Sequence, residues 1–103
     1  MYDAVKIAPN GVLTAVSLPG DDHPDEQLKA LYAALGAEMV ETLPSQTNDL
    51  LIWADEELLL RDPAAAPNVF AAALTGGRVH GPVVVQYANE ADLSPTALRS
   101  LLG

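Results

Sequence analysis

Cysteine is absent from the 103-residue sequence. A disulfide scaffold, a thiolate zinc site and a catalytic thiol are therefore excluded, and the absence fits a reducing compartment. Long apolar runs are absent too: none approaches the ~20 residues that a membrane-spanning helix needs. The first residues, MYDAVKIAPNG, lack the apolar core of a signal peptide. We therefore expect a cytoplasmic protein that does not associate with a membrane.

Basic residues are scarce, because five Lys and Arg stand against 14 Asp and Glu and give a formal net charge of −9. So few cations cannot supply the row of phosphate contacts on which direct nucleic-acid binding depends. The acidity either keeps a small protein soluble, which is the commoner reason, or imitates DNA toward a basic, DNA-binding partner.

Common catalytic signatures are missing as well. The sequence has no G-x-S-x-G, G-x-x-x-x-G-K-[ST] or H-E-x-x-H pattern, so the usual hydrolase, nucleotide-binding and zinc-protease motifs are excluded. The segment Thr75-Gly76-Gly77-Arg78 follows a predicted helix instead of opening one, and we interpret it as a helix C-cap, not as an anion-binding loop. We expect no cofactor, and we place Trp53 and Phe70 in the core.

The length and composition are those of one compact domain, residues 1–103, since half of the residues are hydrophobic. Val5–Ala8 and Val12–Leu18 flank an Asn-Gly turn, which predicts an N-terminal β-hairpin. A helix should then run from about Pro24 to Leu35, with Asp22 or His23 as its cap. Its apolar stripe has i, i+3, i+4, i+7 spacing and consists of Leu28, Leu31, Tyr32 and Leu35.

The middle of the chain predicts an antiparallel sheet. Ala37–Leu43 alternates like an exposed edge strand, and the polar loop Ser45–Asn48 follows it. We interpret Leu50–Trp53 and Leu58–Leu60 as two buried strands folded over an acidic turn. The second arm has equal helix propensity, but Asp62-Pro63 would end a helix too soon.

The last third predicts helix, strand and helix. Asn68 caps a short helix, whose buried face is expected to carry Val69, Phe70, Ala73 and Leu74. Val79–Tyr87 is the most β-prone run, with Val83–Gln86 as a central strand. Ser94 and Pro95 open a final helix, docked by Leu98, Leu101 and Leu102. Together these elements predict an α+β fold: a largely antiparallel sheet with an N-terminal hairpin and about three short helices packed on it.

Residues 28–85 resemble a small phage- and plasmid-borne domain-of-unknown-function family, the one numbered thirty-eight forty-six. The matching pattern is Leu28-Lys29-Ala30-Leu31-Tyr32 running into Leu35-Gly36-Ala37, then Glu38–Leu43, LLIWADEELLL, Pro67-Asn68 with Ala71, and Gly81-Pro82-Val83-Val84-Val85. The resemblance implies a mobile-element setting and an accessory role, and it brings no catalytic residues.

Carboxylates form the candidate interaction surface, which consists of Asp21, Asp22, Asp25, Glu26, Asp55, Glu56, Glu57 and Asp62. Asp21, Asp22 and Asp25, together with His23, have the residue types of a divalent-cation site. However, carboxylates are favoured at helix N-termini for electrostatic reasons that require no metal. The segment Asp55-Glu56-Glu57 is expected to be a solvated turn tip, where charge reversal leaves folding intact.

We therefore expect a phage or plasmid accessory protein, not an enzyme, that binds a host or partner protein through an acidic, DNA-mimic-like surface. The alternative is a small-ligand-binding or metal-dependent enzyme domain that uses His23 or His80 with nearby carboxylates. The edge strand is also compatible with a homodimer formed by sheet extension.

Overall fold

The computed structural model describes residues 1–47 and 49–103, so that Asn48 of the predicted polar loop lies outside the described residues. The elements in chain order are β1 (Tyr2–Ile7), β2 (Leu13–Leu18), α1 (Pro24–Leu35), β3 (Val40–Leu43), β4 (Leu50–Asp55), α2 (Leu58–Arg61), α3 (Val69–Thr75), β5 (Val83–Tyr87) and α4 (Pro95–Leu102). No helix within the described residues is both long and apolar enough to cross a membrane.

The strands form one sheet in the order β2-β1-β5-β4-β3, and every neighbouring pair is antiparallel. The predicted α+β fold is thereby confirmed, as are the N-terminal hairpin, the edge position of β3 and the central position of β5. Both outer strands, β2 and β3, keep one edge unpaired among the described strands.

Alternation along the strands produces two cores, because successive side chains point to opposite faces of the sheet. On one face Ala4 and Val84 pack against Leu31 and Leu35 of α1. On the other face Val5, Ile52 and Val85 pack with residues of α3 and α4, and all three of these valine and isoleucine side chains are fully buried. The molecule is thus a helix–sheet–helix arrangement.

Capping residues in the sequence predict most of the helix ends that the structure shows. Pro24 begins α1, and Gly36 ends it in the left-handed conformation, with its N–H donating to the Tyr32 carbonyl oxygen. The Ser94 side chain accepts from the Ala97 N–H at 3.0 Å at the start of α4. These contacts lie within four residues, which is why the sequence alone predicts them.

The predicted second arm of the central hairpin is wrong, because Leu58–Arg61 forms the short helix α2. Strand β4 already pairs with β3 on one side and β5 on the other, so no edge is left for a strand made by Leu58–Leu60. The helix propensity of Glu and Leu then decides the local conformation. Leu60 is 82% exposed, so this segment does not form the buried strand that we predicted.

The predicted apolar face of α3 is right at Leu74 and wrong elsewhere, including at the exposed Ala73. Its buried residues are Ala71 and Leu74, whereas Val69 is 64% exposed and Phe70 lies on the surface beside Gly11 of the hairpin turn. Trp53 is only half-buried, against the core on the α1 side, and Leu101 of α4 is exposed.

Candidate functional site

Chain reversals gather carboxylates at one end of the sheet. Tyr2 pairs with Leu18, and Leu50 pairs with Tyr87, so β1 and β4 begin at the end where β2 and β5 finish. We call this the acidic end. Eight of the 14 carboxylates lie in the segments that border it: Asp3, Asp21, Asp22, Asp25, Glu26, Asp49, Glu90 and Asp92. No Lys or Arg occurs in residues 1–3, 19–26, 49 or 88–93, which form this end, whereas Lys6 and Lys29 lie farther along β1 and α1.

Two carboxylates of the acidic end, Glu90 and Asp92, accept hydrogen bonds from neutral donors. The Gln27 amide donates to Glu90 Oε2 at 3.1 Å, and the Asp21 N–H donates to Glu90 Oε1 at 3.3 Å. The Asp3 N–H donates to Asp92 Oδ1 at 2.8 Å. Apart from Glu90, which is half-exposed, all of these acidic residues are exposed. Because no Lys or Arg pairs with them among the described residues, their negative potential adds up at the surface.

The predicted interaction residues fall into two separate groups. Asp21, Asp22, Asp25 and Glu26 belong to the acidic end, whereas Asp55, Glu56, Glu57 and Asp62 border the opposite end, where β5 begins. Asp55 is not part of a solvated tip, because its side chain is 3% exposed, pairs with the Arg61 guanidinium and accepts from the Glu57 N–H at 2.9 Å. Glu56 and Asp62 are exposed as expected.

A depression of about 390 Å³ also opens at the acidic end and is lined by Asp49, Tyr87, Ala88, Asn89 and Ala91. It presents a carboxylate, an amide and the half-buried ring of Tyr87 to solvent. Such a set can accept a cationic side chain, because the carboxylate pairs with it and the ring face attracts it.

A buried polar network that sequence reasoning missed supports the acidic end from beneath. Gln86 Oε1 accepts both the Trp53 indole N–H at 2.8 Å and the Tyr2 hydroxyl at 3.0 Å. The Tyr2 oxygen in turn accepts from the Gln27 amide at 3.0 Å, and the same amide reaches Glu90. The one available signal was the polar Gln86 directly after three valines in a strand, since a buried amide needs partners.

Burial and nearby charge act together on Tyr2. Burial raises the pKa of its hydroxyl above the ordinary value of 10.0, and the negative charges of Glu90 and Asp21 raise it further. The hydrogen bonds with Gln27 and Gln86 act in the opposite direction without cancelling the rise. Burial first, and the nearby carboxylates second, therefore favour the neutral form of Tyr2.

The two histidines have different surroundings. His23 lies at the exposed start of α1, and its Nε2 is 3.6 Å from the Asp22 carboxylate. His80 instead forms part of the wall of two cavities, and its Nδ1 is 3.1 Å from the Ala65 carbonyl oxygen. Because a carbonyl can only accept, Nδ1 carries the proton and Nε2 remains available. Within residues 1–47 and 49–103 no group of three or more His, Asp or Glu side chains is placed to hold a metal ion.

Three adjoining cavities, of about 320, 180 and 160 Å³, share Arg78 and Val79 in their walls, and we call them together the Arg78 groove. His80 lines the largest and the smallest. Asn68 holds the groove to the sheet, since its fully buried amide donates to the Ile7 and Gly81 carbonyl oxygens at 3.1 and 2.9 Å. Its side-chain oxygen accepts from the Ala71 N–H at 3.0 Å, the helix cap that the sequence predicted.

Comparison with known proteins identifies a similar fold but no family. No model of a protein family matches the sequence, and no curated protein matches it. The crystal structure of the small RNA methyltransferase HEN1 contains a similar fold, with a TM-score of 0.68 and 15% sequence identity over 94% of this chain. This chain spans about 15% of that protein's length, and at such low identity the likeness concerns the fold alone.

Proposed function

We propose that this protein is a non-enzymatic accessory protein that binds a host or partner protein through its acidic end. The observation that carries the proposal is that residues 1–3, 19–26, 49 and 88–93, which form one end of the sheet, contain eight carboxylates and no Lys or Arg. Concentrated like charge costs stability through self-repulsion, and it raises the association rate with an oppositely charged partner. A basic protein surface is therefore the partner chemistry that fits this end.

The depression beside Tyr87 supports the same proposal, because it can bind one lysine or arginine side chain of the partner. The surrounding carboxylates would then pair with a basic rim. A phage or plasmid setting is part of the proposal and rests on the resemblance of residues 28–85. An acidic end that imitates DNA is its more specific form, and it requires that the partner also binds duplex DNA.

Capture from a host lysate tests the proposal with two matched variants. The first combines Asp21→Asn, Asp22→Asn, Asp25→Asn and Glu26→Gln at the acidic end. The second combines Glu38→Gln, Glu56→Gln, Glu57→Gln and Asp62→Asn away from it. Each changes the formal charge from −9 to −5, so a difference between them reports position and not net charge.

We expect the unmodified protein to retain a specific partner at moderate salt, the acidic-end variant to lose it and the matched variant to keep it. Equal loss in both variants, or no specific capture, would contradict the proposal. Competition by duplex DNA for the captured partner supports the DNA-mimic form, and retention of the partner in excess DNA argues against that form.

A homodimer through sheet extension is a separate proposal, supported by the unpaired edges of β2 and β3. Strand β2 is the longer of the two, with six residues against four. Solution mass measurements over a range of concentrations test it, and a constant monomer mass would contradict it.

A further inference from the structure

The two larger cavities of the Arg78 groove have a chemical character unlike that of the rest of this acidic protein. The largest cavity of the groove, about 320 Å³, is walled by the apolar side chains of Pro67, Val69, Ala72 and Val79, together with Arg78 and His80. No carboxylate lines this cavity or the neighbouring one of about 180 Å³. In a chain with 14 Asp and Glu, a largely apolar cavity that contains an arginine and no carboxylate requires explanation.

The Arg78 guanidinium has no hydrogen-bond or ion-pair partner in the part of the chain that the structure describes, in contrast to Arg61, which pairs with Asp55. Its planar fork of N–H donors matches a carboxylate, which it can bind through two parallel hydrogen bonds. Three carboxylates of the groove, Glu41, Asp55 and Glu56, all line its smallest cavity, on the α2 side, and none lines the largest. A carboxylate in the largest cavity therefore meets Arg78 without a competing acid in the same wall.

His80 contributes a second, oriented polar group. Its Nδ1 proton is committed to the Ala65 carbonyl oxygen, and Pro67 and His80 form an antiparallel bridge that fixes the backbone around the ring. The other ring nitrogen, Nε2, is then a hydrogen-bond acceptor, so His80 does not pair with a carboxylate and leaves that role to Arg78. Val69, 64% exposed at the groove, provides apolar surface that a ligand would cover.

We propose that the Arg78 groove binds a small apolar carboxylate, with the carboxylate on Arg78 and the apolar body between Val69, Ala72 and Val79. A volume of about 320 Å³ lies at the lower end of small-ligand sites, which limits the ligand to a short chain or a single ring. His80 of the largest cavity precedes β5 by three residues, so this cavity borders the end of the sheet opposite the acidic end. The proposed binding site is therefore separate from the proposed partner-binding surface.

Titration of the whole protein, followed by backbone-amide NMR, tests the proposal with three probes. Hexanoate carries both the charge and the apolar body, hexanol carries only the body, and acetate carries only the charge. We expect saturable shifts for residues 67–80 with hexanoate, at a Kd of about 1 mM or below. Hexanol and acetate should bind at least ~10-fold more weakly, because each lacks one of the two contacts.

Two variants with the same change of charge assign the site. Arg78→Gln should raise the Kd for hexanoate at least ~10-fold, the loss expected when a charge-assisted hydrogen bond is removed. Arg99→Gln, on the exposed side of α4, should leave the Kd unchanged. Unchanged hexanoate binding in Arg78→Gln would overturn the proposal, as would absence of saturable shifts in residues 67–80. If hexanol bound as tightly as hexanoate, the groove would be only an apolar surface. If acetate bound as tightly, the site would be only an adventitious anion contact. Either result would also overturn the proposal.

Discussion

The side chain of Gln86 accepts a hydrogen bond of 2.8 Å from the indole N–H of Trp53 on the neighbouring strand. The same oxygen accepts the Tyr2 hydroxyl from the strand on the other side, at 3.0 Å. One amide of the central strand thus joins three strands through side chains, in addition to their backbone pairing. This network is hydrogen-bonded to the acidic end, because the Gln27 amide donates to both the Tyr2 hydroxyl oxygen and the Glu90 carboxylate.

Gln86→Leu should destabilise the fold by about 1–3 kcal/mol, because it leaves two partly buried donors without their acceptor. Tyr2→Phe is the matched variant, since it removes one of the two donors and leaves the acceptor in place, and it should cost about 0.5–1.5 kcal/mol. Urea unfolding followed by the fluorescence of Trp53 measures both. Stability of Gln86→Leu equal to that of the unmodified protein would contradict a structural role for the network.

The raised pKa of Tyr2 predicts a loss of stability at alkaline pH. Below the unfolded-state pKa of 10.0 the hydroxyl is protonated in both states, and the stabilisation is fully present. As the pH rises above that value, the unfolded chain loses its tyrosine proton before the folded protein does. The free energy of unfolding therefore decreases with increasing pH until the pH has passed the folded-state pKa. Phenolate absorbance, compared with that of Tyr2→Phe, should show one tyrosine titrating late. If the two proteins lost stability identically with pH, Tyr2 would not be the cause.

Asn68→Ala should be more damaging than loss of an ordinary helix cap. The buried amide accepts a hydrogen bond from the Ala71 N–H and donates to the carbonyl oxygens of Ile7 and Gly81. Its removal therefore takes away a hydrogen-bond partner from three separate segments of the chain. We expect a loss of about 3 kcal/mol or more in thermal or urea unfolding. Ser94→Ala, at the exposed cap of α4, should cost only about 1 kcal/mol. Similar losses in the two variants would show that the bonds to Ile7 and Gly81 contribute nothing.

Gly81→Ala should destabilise the protein by about 1–3 kcal/mol for two reasons. Gly81 has φ +74, which an L side chain rarely adopts, and a Cβ at this position would overlap Cδ2 of Leu58 in α2. Gly77→Ala is the control, because a Cβ there has no neighbour within 4 Å. Adding Leu58→Ala to Gly81→Ala should recover only the part of the loss that comes from the overlap. An unfolding transition of Gly81→Ala that matches Gly77→Ala would refute this account.

Charge reversal at the turn after β4 should depend on the residue chosen. Asp55→Lys places a cation beside Arg61 in a buried position and removes the acceptor of the Glu57 N–H, so it should cost about 2 kcal/mol or more. Glu56→Lys, at an exposed position, should change stability by less than about 0.5 kcal/mol. The urea or thermal unfolding midpoints of the two variants measure this difference in stability. Equal tolerance of both reversals would restore the expectation of a fully solvated tip.

Much of the fold could be predicted because its signals are local. The Asn-Gly turn, Gly36 after α1 and the Asn68 and Ser94 caps act through contacts a few residues long. The candidate site was predictable only in part. The acidic residues were evident from composition, but their division between two ends of the sheet depends on where each strand reverses, and the role of Gln86 depends on which strands flank it.

By itself, then, the sequence determined the α+β class, the hairpin, the long helix, the central strand and the absence of thiol chemistry. The tertiary structure decided that Leu58–Arg61 is a helix, that Asp55 is buried, and that Phe70 is exposed while Ala71 is buried. It also decided that eight carboxylates meet at one end while Arg78 and His80 line a groove at the other. The physical reason is range: propensity and capping are fixed by near neighbours, whereas burial and strand pairing depend on residues far apart in the chain.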